Sequence, residues 1–372
     1  MRRRVIAASL LLASSVPTLA QNIDVLRDGL DHLPATLVSE DRGDLAYFVD
    51  VQVLSGLVEG DSAVRPFFRL MSGADINALQ SLSRTPTVEW EAKAGTSLDK
   101  LRYFTGYGQP PNVVSFWGLS DEAAATQMIA TLETIGFEDA GAPGVVGNGE
   151  PQRMDPSKID PSDPWRTKIG AAQFAAAKGN TVVQAQMPQT AMLATAEQPS
   201  LGQDPILQVA LAGLDQAVGD GLVVQAVVIS PLFGMAGVDP AAVLTTSADI
   251  EETRKRLEEQ MAALGSGIPP YLGGVLADVQ ADRQGAIIAL TYPDCTIAQE
   301  AADAIAMRWA DMAGEEAQGD IVAQTAEGEG GLCAAAVSVS IEADNLEQNP
   351  AYRALIEPYL RGQAGVLQIG ES

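Results

Sequence analysis

Histidine and cysteine are nearly missing from this chain: His32 is its only histidine, and Cys295 and Cys333 are its only cysteines. A Ser-His-Asp hydrolase would have one base to use, placed in a lead segment ahead of the first folded unit. A zinc site would have to be assembled from one imidazole and two distant thiols, a poor ligand set. The chain also lacks a long apolar run. No segment after the first 20 residues reaches the ~18 consecutive apolar residues that a membrane-spanning helix needs. Positive charge is scarce as well, with 23 Lys and Arg against 48 Asp and Glu for a net charge of −25. A surface of that sign repels nucleic acid phosphates and anionic lipid heads, so nucleic acid is excluded as a partner. The glycine patterns of nucleotide sites are missing too. "VVGNGEP", "GSGIPP" and "EGEGG" match neither the phosphate-loop nor the dinucleotide pattern and read as turns. No cofactor is expected.

What is present begins with "MRRRVIAASLLLASSVPTLAQ". Arg2, Arg3 and Arg4 form a basic n-region, Val5 to Ala13 an apolar stretch, and Thr18 and Ala20 the small residues of a cleavage site. This order predicts a signal peptide over residues 1–20, cut after Ala20, and export to a bacterial periplasm. Without the three arginines the net charge of the mature chain is −28.

Internal similarity shapes the rest of the reading. "GDLAYFVDVQVLSGL" at Gly43 and "GDGLVVQAVVISPLF" at Gly219 are both Gly-Asp followed by an apolar, β-branched run. "NVVSFWGLSDEAAATQMIATLETIGF" at Asn112 and "AIIALTYPDCTIAQEAADAIAMRW" at Ala286 are both a strand, a polar break and an amphipathic helix. "LGQDP" at Leu201 and "LEQNP" at Leu346 both place an N-cap, Asp204 or Asn349, before a proline at the first helical position. The matches predict an internal duplication: a lead segment over 21–42, a first α+β repeat over 43–218 and a second over 219–372. The first carries a Pro-, Gly- and Asp-rich insertion over 141–168, read as a long loop.

In the second repeat the pattern is strand 221–229, helix 247–264, strands 274–280 and 285–292, the helix after Cys295, strands 320–326 and 332–342, and a short closing helix. In the first repeat, strands are expected at 45–53, 87–93, 112–118 and 180–187, with helices around 62–82 and 121–135. The order β-α-β-β-α-β with an added strand and helix predicts an α+β fold of two tandem ferredoxin-like repeats. A cleft between them is the default place for a ligand.

Three groups of residues stand out as sites. "LRYFTGYGQPP" gathers Arg102, Tyr103, Phe104 and Tyr107 in an aromatic-poor chain, and such residues suit a contact loop. Roofing of the first core by Tyr103 and Phe104 is the plainer alternative. "DPSKIDPSDPW" puts Asp155, Asp160 and Asp163 in one loop, oxygen ligands of the kind calcium takes, although the spacing is not that of an EF-hand and Asp before Pro or Ser is ordinary turn chemistry. Cys295 precedes a helix in "YPDCTIAQ", where Thr296 and Gln299 read as a capping box. Its thiol would be activated there. Export, an even cysteine count and the absence of a neighbouring Cys-x-x-Cys instead predict a Cys295–Cys333 disulfide, closing a loop that constrains the unfolded chain by roughly 4 kcal/mol.

These residues read as a soluble, non-catalytic periplasmic protein that binds a small molecule or an envelope protein. The alternative is a periplasmic hydrolase or other enzyme working through Asp and Glu, with or without a divalent cation. Two interacting buried carboxylates in a pocket would mark the alternative.

Overall fold

A computed structural model describes residues 20–39, 46–57, 69–70, 77–108, 112–235, 255, 267–342 and 345–370. The expected signal peptide, apart from Ala20, and the expected helix over 247–264, apart from Lys255, lie outside the described residues. The strands are β1 (Ala46–Asp50), β2 (Leu101–Tyr107), β3 (Val114–Leu119), β4 (Glu138–Asp139), β5 (Val145–Gly147) and β6 (Phe174–Lys178). They continue with β7 (Thr181–Ala185), β8 (Leu222–Ile229), β9 (Gly273–Gln280), β10 (Gln284–Tyr292), β11 (Asp320–Glu327) and β12 (Cys333–Ile341). The helices are α1 (Ala20–Leu30), α2 (Val51–Gly56), α3 (Asn77–Arg84), α4 (Thr87–Ala94) and α5 (Glu122–Thr134). Then come α6 (Pro188–Ala194), α7 (Pro205–Val218), α8 (Cys295–Met312) and α9 (Pro350–Leu360).

All twelve strands belong to one sheet, in the order β11-β12-β10-β9-β8-β1-β2-β3-β7-β6-β5-β4, and every neighbouring pair is antiparallel. This overturns the expectation of two tandem ferredoxin-like repeats. That fold would insert the first strand between the third and the last. Here β8 lies outside β9 and presents its other edge to β1, through pairs from Ala46↔Val228 to Val49↔Gln225. The physical reason is edge protection. β1 and β8 are apolar and buried, and an exposed edge of that kind would leave a row of backbone donors and acceptors unpaired. Each strand completes the other's ladder, so the two halves fuse into one sheet, and a hydrogen-bonded seam stands where a cleft was expected.

Helices cover both faces. Side chains alternate along each strand, so Tyr47 and Val49 of β1 face one layer while Ala46 and Phe48 face the other. The first layer is built on α2, α3, α4, α5, α8 and α9, with Trp90, Trp117, Trp165 and Trp309 buried in it. The second is built on α1, α6 and α7. Covering both faces explains why strand runs such as "AIIALTY" are apolar throughout rather than alternating with polar residues.

Local chemistry accounts for the elements where sequence reading went astray. Residues 87–93, expected as a strand, form α4: Trp90 and Ala94 are its buried pair one helical turn apart, and Gly95 closes it in the left-handed conformation at φ 78°. Residues 101–107, read as a contact loop, are the interior strand β2. The insertion is not wholly irregular, since β5 and a 3-10 turn at Pro156–Lys158 lie in it. Asp294, rather than Thr296, caps α8 by accepting from the Thr296 and Ile297 amides at 2.9 Å.

Two buried polar groups fasten layers to the sheet. Arg69, wholly buried, donates from Nε to Asp278 at 2.9 Å and from Nη2 at 2.5 Å, while Nη1 reaches Gln280 at 2.7 Å. Asp278 also accepts from Gln225 at 2.9 Å and from Asn349, the α9 N-cap, at 2.6 Å. A buried charge pair persists only when its remaining lone pairs are met in this way. Asp50, at the end of β1, accepts from Asn22 of α1 at 2.9 Å and from the Val53 amide of α2 at 2.9 Å. Burial raises the Asp50 carboxyl to about 6, against the pull of those donors and of the Arg102 charge.

Candidate functional site

The insertion does not hang free of the body. Its anchor is Trp165, fully buried, whose ring stacks on Trp117 of β3 with centroids 4.8 Å apart and planes 4° from parallel. Phe137 meets the same ring edge-on at 5.5 Å, and the Trp165 indole donates to the Ala94 carbonyl at 3.1 Å. Asn77 of α3 donates to the carbonyls on either side, Pro164 at 3.1 Å and Arg166 at 2.6 Å. On the way to these fixed points the chain makes three Asx turns, in which an aspartate accepts the amide two residues on. Asp155 takes Ser157, Asp160 takes Ser162 and Asp163 takes Trp165.

The Asp155 turn borders a cavity of about 260 Å³. Its floor is small: Gly149, Gly170 and Ala172. Gly170 is obligatory, because it sits at φ +70° and a Cβ there would lie 2.0 Å from the Asp155 carbonyl oxygen. The walls bear charge. Arg153, Lys158 and Arg166 line the cavity together with Glu150 and Asp155. Arg153 pairs with Glu150 at 2.8 Å, and Lys158 stands 4.0 Å from Asp155. The Ser157 hydroxyl, donating to Asp155, holds that carboxyl below the usual range, aided by Lys158 and Arg153. Arg166 is placed differently. Its Nη2 is fixed on the Asn148 carbonyl at 2.8 Å, it is half-buried, and no carboxylate among the described residues lies within ion-pairing distance of it. Asn148 is itself held by donation to the Trp165 carbonyl at 2.8 Å and by the Gln173 amide at 2.9 Å. The guanidinium is thus pre-positioned at the cavity with donors to spare.

The residues singled out from sequence fall in three places. Tyr103 is buried among the second layer, its hydroxyl donating to Asp28 at 3.1 Å, and Phe104 is buried in the first. Arg102 and Tyr107 are partly exposed on the same interior strand. Of the three aspartates, Asp155 alone lines the cavity. Asp160 accepts from Lys93 at 2.9 Å, and the Ser162 hydroxyl and Lys93 bring its carboxyl down to about 2. Burial raises the Asp163 carboxyl. Among the described residues no group of three His, Cys, Asp or Glu side chains is arranged to hold a metal ion. Cys295 and Cys333 form a disulfide across the start of α8 and the start of β12, with Cα atoms 4.9 Å apart. Among the described residues no helix is long and apolar enough to cross a membrane.

Burial lowers the His32 pKa, and its ring stacks on Phe116 at 5.6 Å. Its buried Nε2 has no hydrogen-bond partner among the described residues, and the Ser200 hydroxyl donates to Asp31 at 2.8 Å. The cavity residues Arg153, Lys158 and Arg166 escaped sequence reasoning. A signal was there, for three cations fall within 14 residues of a chain of net charge −25. The aspartates of the same loop drew the attention instead. Comparison of the chain with protein-family models, curated proteins and solved structures finds no match.

Proposed function

We propose that this is an exported, non-catalytic binding protein that takes a small anion into the cavity between Gly149 and Ala172. The observation that carries the reading is local charge reversal. In a chain of net charge −25, the cavity walls hold three cations against two carboxylates, and Arg166, which no described carboxylate reaches within ion-pairing distance, feels the Asp163 charge only at longer range. A cationic concavity on an anionic body draws anions to one place and repels them elsewhere. The cavity carboxylates do not suit acid–base work, since Asp155 is held below its usual range and Glu150 is tied to Arg153. The "MRRRVIAASLLLASSVPTLAQ" leader supports export, and the disulfide fits an oxidising compartment.

Thermal unfolding with formate, acetate, chloride and inorganic phosphate tests the binding. An occupied site stabilises by about 2.7 kcal/mol at a hundred times Kd. The expected result is an anion-dependent rise in Tm that Arg166→Gln removes. No rise with any anion, or a rise that survives Arg166→Gln, overturns the reading. Export is tested separately: the amino terminus of the secreted protein should be Gln21, and a chain retained with Met1 in the cytoplasm overturns it.

A further inference from the structure

We infer that the cavity takes a small α-amino acid, its carboxylate on Arg166 and its ammonium group on Asp155, an assignment that rests on the anion-binding reading above and names the molecule that carries the anionic group. Two side chains of opposite sign line the same cavity, and each keeps hydrogen-bonding capacity in hand. The Arg166 guanidinium is engaged, among the described residues, only through Nη2 on the Asn148 carbonyl at 2.8 Å. Its Nη1 lies over Gly149, 3.8 Å from where a Cβ on that residue would stand. The donors that remain form a planar fork, which suits the two oxygens of a carboxylate. On Asp155 both Ser157 donors, the amide at 3.1 Å and the hydroxyl at 2.6 Å, fall on Oδ1. Oδ2 accepts no hydrogen bond among the described residues, and the Lys158 ammonium stands 4.0 Å from it, beyond hydrogen-bond length. That oxygen is open to a further cationic donor.

Charge and size narrow the ligand further. The walls carry one positive charge in excess, three cations less two carboxylates, and Asp163, whose charge reaches Arg166, offsets part of it. A dianion would exceed what is left. A dipolar ion has no net charge to balance and still offers its carboxylate to Arg166. The Ser157 hydroxyl, with Lys158 and Arg153, keeps the Asp155 carboxyl ionised at neutral pH, so the ammonium group meets a full negative charge. A cavity of about 260 Å³ lies below the ~300–1,000 Å³ of sites for drug-sized ligands, which limits the occupant to a small molecule. The floor of Gly149, Gly170 and Ala172 carries no polar side chain, so both polar contacts come from the walls.

Calorimetric titration with L-alanine, propionate and L-alanine methyl ester tests this, because the second lacks only the ammonium group and the third only the free carboxylate. Alanine is expected to bind roughly tenfold or more tighter than propionate, the worth of one charge-assisted hydrogen bond. Asp155→Asn keeps an oxygen acceptor for Ser157, and with it the turn, but sets an amide donor where the ammonium group would donate. This variant is expected to keep the Tm of the parent, to bind propionate at least as tightly, and to lose the preference for alanine. Arg166→Gln is expected to weaken alanine and propionate alike. Propionate binding as tightly as alanine, or a preference for alanine that survives Asp155→Asn, overturns the inference and leaves anion binding standing. Alanine binding that survives Arg166→Gln, or ester binding as tight as that of alanine, removes the carboxylate contact and overturns it too. Binding of neither alanine nor propionate overturns the inference, while the anion-binding reading stands or falls on the formate, acetate, chloride and phosphate series.

Discussion

After α5 and after α8 the chain meets the same problem and solves it by different chemistry. Outward from the β1–β8 seam, one side runs β1-β2-β3-β7-β6 and the other β8-β9-β10-β12-β11. In each, a helix leaves the third strand, α5 after β3 and α8 after β10, and the chain must return to the sheet. Beyond α8 it returns at once through β11, and the Cys295–Cys333 bond ties the helix start to β12. Beyond α5 it first makes β4 and the insertion, β5 included, held by the Trp165–Trp117 stack and by Asx turns. A covalent tie permits a short, closed connection. A stacked indole permits a long one, and the cavity beside Arg166 lies in the long one. The lesson is that elaboration, and the charge reversal with it, sits on the side that was not stapled.

Four perturbations would break or sharpen that comparison. The largest effect is expected at the charge pair that joins Arg69, from the first half of the chain, to Asp278 of β9. Asp278→Ala leaves a wholly buried guanidinium without its counter-charge and should lower stability by about 3–5 kcal/mol. Denaturant unfolding measures it, and a loss under 1 kcal/mol would mean that this buried pair adds little to the joining of the two sides. Next, replacing both cysteines with serine should cost about 2–4 kcal/mol, since the bond closes a separation of 38 residues. The anion response of the other side should survive that change.

Asp50 supplies a pH test at the seam. Its folded pKa, about 6, lies above the ordinary 3.8, so the folded state holds the proton more tightly than the unfolded chain. This contribution to stability is complete below about pH 4 and disappears as the pH rises through 6. Asp50→Asn keeps an N-cap, removes the titration, and should gain on the parent by an amount on the order of 2 kcal/mol between pH 4 and 7. Urea midpoints across that range check it, and a constant difference would refute it. The smallest effect compares the caps of α7 and α9. Among the described residues the Asp204 carboxylate accepts only from the Ile206 and Leu207 amides, so Asp204→Ala should cost about 1 kcal/mol. Asn349 caps α9 and also donates to Asp278 and to the Gly285 carbonyl, so Asn349→Ala should cost more. Equal costs would remove Asn349 from the buried network.

Much of this was legible before the fold was known. The proline-led caps at Asp204 and Asn349, the strands from β7 to β10, β11, β12, and the disulfide all follow from spacing and local chemistry. The misreadings have a common cause. Trp90 in "TVEWEAKA" alternates with charge as a strand would, and only burial one turn away, at Ala94, makes it helical. "LRYFTGY" carries polar and aromatic residues like a contact loop. Yet β2 lies between β1 and β3, where Tyr103 finds Asp28 as a buried partner. Such partners lie far away in sequence, and no window of neighbours contains them.

Residue order alone determined most of the elements, the proline-led caps, the covalent tie and the acidic character, because the elements and caps depend on near neighbours and the tie and the charge on composition. Tertiary structure decided the pairing of β1 with β8, and with it one sheet in place of two repeats. It also decided that Arg153, Lys158 and Arg166 would converge on one cavity. An edge strand has no partner until the whole sheet forms. Three cations spread along a loop become a site only when Trp165 fixes the loop's path.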